Sequence, residues 1–156
     1  MRKEVIFELI KKKPGIAYNE MVRETGLSNG VISHYLIKLI ENGEIEKEGE
    51  KRGKYFLKDI SKKDRISIII LRNKTNNDVY RYISKNTTSE ESVTANQISK
   101  KVKRSASTIS VSLKILHKNN IIERVIMNKN KKLSNDIGYR ILNQKLSAAR
   151  FLKYNL

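Results

Sequence analysis

Asn29, Gly30, Ser33, His34 and Lys38 fall along one edge of a segment whose other edge, Ile32, Leu36 and Leu39, is apolar at helical spacing. An amide, a hydroxyl, an imidazole and an ammonium on such an edge suit hydrogen bonding to a polar rod. Asn29 can pair with adenine through two bonds, and Ser33 can contact several bases. His34 can donate to a phosphate or to guanine, and Gly30 lets a backbone come close. Two local roles compete: Asn29 can support the helix cap, and Ser33 can bond within its own helix. Acid–base or nucleophilic chemistry finds little support. His34 and His117 are the only histidines, there are no cysteines, and no Gly-rich phosphate loop stands out. Glu90-Glu91 is a carboxylate pair in sequence only. The chain is expected to be no enzyme and to need no cofactor and no metal.

The segment occurs twice. Ser28, Ile32, Ser33, Leu36, Leu39, Asn42 and Ile45 return 77 positions later as Ser105, Ile109, Ser110, Leu113, Leu116, Asn119 and Ile122. An internal repeat sets the architecture before any finer pattern. The second edge carries Ala106, Ser107, Thr108, Ser110, Val111 and Lys114, preceded by Arg104. Ser107 and Lys114 suit phosphates, and small apolar residues suit thymine methyl groups. That edge also suits contact with another protein.

These edges need elements to hold them. A first helix is expected over Lys3–Lys12, with Val5, Ile6, Leu9 and Ile10 on one face, stopped by Pro14-Gly15. Tyr18–Glu24 reads as a second helix. Gly26 supplies a left-handed turn, and Ser28 caps the recognition helix, which Asn42-Gly43 closes. Glu44–Glu48 and Lys54–Leu57 flank a polar tip as a hairpin, with Tyr55 and Leu57 facing the core. Ser61–Arg72 reads as a linker helix with an Ile66, Ile69, Ile70 stripe, broken over Asn73–Asn77. Asp78–Lys85 then opens a second domain with Val79, Tyr82 and Ile83, followed by a polar loop over Asn86–Ser92. Thr94 caps the next helix. Lys103 replaces the turn glycine, which predicts a looser or strained second turn. Ser105 caps the second recognition helix. Ile121–Met127 and Gly138–Leu142 make a second hairpin around a lysine-rich tip, Asn128–Asp136. Asn143–Tyr154 reads as a C-terminal helix. The fold class is therefore mainly α with small antiparallel β wings. Two tandem winged helix-turn-helix domains are expected at 1–60 and 75–142, a linker helix at 61–74 and a C-terminal helix at 143–156.

The formal charge is +17, from 33 basic and 16 acidic residues. Residues 1–60 hold 12 Lys/Arg against 10 Asp/Glu, a net +2; residues 61–156 hold 21 against 6, a net +15. Such a field draws polyanions. Lys47, Lys51, Arg52 and Lys54 on the first wing, and Lys129, Lys131 and Lys132 on the second, suit phosphates or a narrow minor groove. A basic proteome with merely solvated lysines would produce the same count. Hydrophobic content of 38% is low for one large core and suits two small ones. The longest apolar run, Ile68-Ile69-Ile70-Leu71, is far too short for a bilayer, and Glu4 and Glu8 interrupt any signal-peptide layout. A cytoplasmic protein without a membrane partner is expected.

The string Gly-Leu-Ser-x-x-Val-Ile-Ser-x-x-Leu-x-x-Leu-x-x-x-Gly-x-Ile from Gly26 to Ile45, followed by a basic hairpin ending in Tyr55-Phe56, resembles winged-helix regulators of the ArsR and MarR kind. The second copy resembles them too, departing at Lys103 and Arg104. The duplicated layout is similar to archaeal regulators with two helix-turn-helix domains, the euryarchaeal archaellum regulator among them. The resemblance implies transcriptional regulation through double-stranded DNA. Dimers with ligand or metal switches are common in such families; no Cys/His/Asp cluster here supports metal sensing. The C-terminal helix would join two copies or fold back on its own domain. Two other classes fit the same residues: a winged-helix protein–protein module contacting transcription machinery, and a sequence-indifferent architectural DNA coat.

Overall fold

The computed structural model describes residues 1–126 and 137–142. Helices dominate, with small antiparallel sheets. The described residues divide into two compact units, Met1–Ile69 and those from Ile70 to Leu142.

In the first unit, α1 (Arg2–Lys12) carries Glu4 in its first turn and Lys11 and Lys12 in its last, each complementing the helix dipole. Ile6 and Ile10 are buried, whereas Val5, expected on the same face, is exposed. A short β1 (Ile16–Ala17) leads into α2 (Tyr18–Thr25), where Glu20 accepts the Ala17 N–H at 3.1 Å. Gly26 then adopts φ 66°, the left-handed turn expected of it. Ser28 Oγ accepts the Val31 N–H and starts α3 (Asn29–Glu41). Its buried stripe is Ile32, Leu36 and Leu39. The hairpin β2 (Ile45–Glu48) and β3 (Lys54–Leu57) pairs Ile45 with Leu57 and Glu48 with Lys54. β1 adds to the other side of β3, giving the order β1-β3-β2, a strand that a two-residue segment left hidden in the sequence.

Tyr55 faces the core as expected, but Leu57 is only half-buried and Phe56 is fully buried. The reason is α4 (Lys62–Arg72), which covers the other face of the hairpin. Its Arg65 guanidinium lies 5.7 Å from the Phe56 ring centre. Arg65 is 3% exposed; its Nη1 donates to Glu46 at 2.6 Å and Glu48 at 2.7 Å, and its Nη2 to the Lys58 carbonyl at 3.2 Å. The stripe expected on this helix is therefore corrected. Arg65, Ile68 and Leu71 are buried, while Ile66 and Ile69 are exposed and Ile70 is half-buried.

The second unit begins sooner than expected. Asn73 alone breaks the chain, and its side chain accepts the Asn76 N–H at 3.1 Å to cap α5 (Lys74–Asn86). Asn73–Asn77 is thus a cap and a first turn rather than a gap. Val79, Tyr80 and Ile83 are buried, and Tyr82 is half-buried. After the polar loop, Thr94 and Gln97 form a reciprocal cap for α6 (Ala95–Val102). Lys103 keeps the left-handed turn of its glycine counterpart, at φ 58° and ψ 49°, so the turn is not looser. Ser105 caps α7 (Ala106–Lys118), which buries Ile109, Leu113 and Leu116. β4 (Ile122–Ile126) and β5 (Ile137–Ile141) form the hairpin, and Val93 bridges to Tyr139 beside it.

The 77-residue spacing extends through both cores. Ile6, Ile16, Met21, Ile32, Leu36, Leu39 and Ile45 are buried, and so are Ile83, Val93, Ile98, Ile109, Leu113, Leu116 and Ile122. Asn128–Asp136 and Asn143–Tyr154, expected to be a wing tip and a helix, lie outside the described residues. No helix among the described residues is long and apolar enough to cross a membrane.

Candidate nucleic-acid interface

Packing α3 by Ile32, Leu36 and Leu39 turns the rest of that helix outward. Asn29, Gly30, Ser33, His34 and Lys38 are all exposed, together with Ile37. A side chain added at Gly30 would meet no protein atom within 4 Å. His34 stacks edge-on against Tyr35, ring centres 5.1 Å apart. Ser33 is engaged within the protein, although not by its own helix. Its hydroxyl lies 2.9 Å from Tyr18 Oη, which donates to the Asn29 carbonyl at 2.8 Å.

Tyr18 was not singled out by sequence. It stands at the first position of α2, 15 residues before Ser33, and only folding brings the two together. It also lines a cleft of about 680 Å³ between α2 and the hairpin, with Asn19, Lys47, Arg52, Lys54 and Tyr55. Three of its lining residues are cations and none is an acid, a lining that suits an anionic ligand. Lys51 is exposed at the hairpin tip beside Arg52, whose φ of 54° is left-handed. Lys47 Nζ donates to the Glu50 carbonyl at 3.3 Å. Its aliphatic stem lies over Gly53, where an added Cβ would sit 2.7 Å from Cγ and 2.9 Å from Cδ.

In the second unit Arg104, Ser107, Thr108, Ser110 and Lys114 are exposed as expected. Two of the hydroxyls are drawn into the helix cap. Ser105 Oγ lies 3.1 Å from Ser107 Oγ and 2.8 Å from Thr108 Oγ1, and it accepts the Thr108 N–H. Arg104 sits 4.0 Å from Asp78, while its carbonyl accepts from Ser99 Oγ. Val111, 58% exposed, and Ile115 share the outward side of α7. A second, smaller cleft is lined by Arg81, Lys85 and Lys101 together with the acid Asp78. Asn76 and Ser112 were missed by sequence. They form a buried bond of 2.6 Å, Ser112 donating, and Asn76 Nδ2 donates to the Ile70 carbonyl. That pair fastens α5 to α7. Lys129, Lys131 and Lys132 fall outside the described residues.

No family model matches the chain, and no curated protein matches it. Its backbone is similar to the crystal structure of ScpB from Mycobacterium tuberculosis over 95% of this chain and 94% of that one, with a TM-score of 0.36 and 9% sequence identity. A likeness at that level identifies no family and transfers no function.

Proposed function

We propose that the chain binds double-stranded DNA through two winged-helix domains and acts as a sequence-specific regulator of transcription rather than as an enzyme. The observation that carries this reading is the outward polar edge of α3 beside the three-cation cleft of its hairpin. Helices of this kind present their N-terminal residues to base edges in the major groove. Asn29, Ser33 and His34 read bases there. Gly30 admits the duplex, and Lys38, Lys51, Arg52 and Lys54 grip phosphates. In the second unit Arg104, Ser107, Thr108, Ser110 and Lys114 add backbone affinity.

Footprinting on duplex selected from random sequence tests this. A discrete protected window is expected, and replacing Asn29 and His34 with Ala should lower preference for the selected site over random DNA. Equal loss on both DNAs would count against base reading. Continuous coverage would point to an architectural coat. The exposed Val111 and Ile115 favour a second reading, in which α7 docks a protein of the transcription machinery. Absence of any protection would leave that reading standing.

A further inference from the structure

The contacts around Tyr18 fix where two protons lie. A phenol carries one hydrogen, and so does a serine hydroxyl. The Asn29 carbonyl can only accept, so at 2.8 Å the Tyr18 hydrogen goes to it. The 2.9 Å contact between Tyr18 Oη and Ser33 Oγ then needs the hydrogen of Ser33. The order is Ser33 to Tyr18 to Asn29, and Ser33 Oγ is left with lone pairs only on its outward side.

We propose that Tyr18 is a positioning residue that sets specificity: by taking the only hydroxyl proton of Ser33, it makes Ser33 an obligate acceptor, which selects a base bearing an exocyclic amine at one position of the target. In the major groove, adenine N6 and cytosine N4 donate, whereas guanine and thymine offer only acceptors there. The inference rests on the proposed base reading by α3. The second unit lacks the relay, because Ala95 stands 77 positions after Tyr18 and cannot accept from Ser110.

The test is binding-site selection from a random duplex library with the full chain, its Y18F and S33A variants and the double variant. The wild-type site should contain one position favouring adenine or cytosine about fivefold, the size of one neutral hydrogen bond. Without the phenol to receive it, the Ser33 hydrogen is free to turn outward and donate to guanine or thymine while Oγ still accepts, so Y18F should weaken the preference at that position and leave the others unchanged. S33A should flatten the same position, and Y18F should add nothing to it. A Y18F site identical to wild type, or one weakened equally at every position, overturns the inference. So does an S33A site that keeps every preference, and these three outcomes leave base reading by Asn29 and His34 intact. A wild-type protein that selects no sequence overturns both. Purine in place of adenine at the position gives a check with the unaltered protein: loss of the 6-amino group should cost the same fivefold, and unchanged binding counts against the proposal.

Discussion

Replacing Gly30 with Ala separates folding from binding at one atom. The helix gains a better helix former, and the new methyl meets no protein atom within 4 Å. Stability should rise by up to about 1 kcal/mol, read as a higher melting temperature. On the proposed docking of α3 the methyl would stand in the path of the duplex, so binding should fall; unchanged binding would place the duplex elsewhere. Lys103→Gly acts in the same currency. Lys103 holds φ 58°, a conformation that costs an L residue about 1 kcal/mol, so the glycine should stabilise by that amount in a denaturant titration. Glu46 gives a pH signature. The hydrogen bond from Arg65, with its charge, holds the Glu46 carboxyl below the ordinary value of 4.5. Since the folded value is the lower one, this contribution is full above about pH 4.5 and disappears as pH falls through the folded value. Glu46→Gln should remove that share of acid sensitivity, which melting curves in that range will reveal.

Arg65 ties an element to an element. It joins α4 to β2 through Glu46 and Glu48, to β3 through the Phe56 ring, and to the Lys58 carbonyl that follows. Arg65→Ala would remove the cation that bonds Glu46 and Glu48, leaving Glu46 only the charges of Lys58 and Lys62, and would uncover Phe56. The loss should reach about 3 kcal/mol at most, since both carboxylates keep some water, and can be measured by urea unfolding. α4 also shows what the sequence could convey and what it could not. Periodicity and caps located most helices within a residue or two, because Ser28, Thr94 and Ser105 act locally. The buried side of α4 was misread because an arginine occupies it. A charge is buried only where partners from distant strands await it, and Glu46 and Glu48 lie 19 and 17 residues away. Tyr18 escaped notice for the same reason, whereas the outward edge of α3 was legible as the complement of its apolar stripe. A two-residue strand such as β1 carries no period at all.

For the molecule as a whole, a net charge of +17 supplies more cations than a duplex contact needs, and the number of phosphates they neutralise sets the salt response. With roughly six to ten phosphates neutralised, affinity should drop about 10³- to 10⁵-fold between 50 and 200 mM salt, and a nearly flat titration would exclude the electrostatic model. Net charge, however, says nothing of aim. The stem of Lys47 crosses a spot that stays vacant only because residue 53 has no side chain. One carbon atom there would push an ammonium aside without altering the isoelectric point by any amount. Two homologues with the same tally of lysines could therefore hold a nucleic acid with unequal strength, the deciding difference being uncharged and invisible to any count of ions.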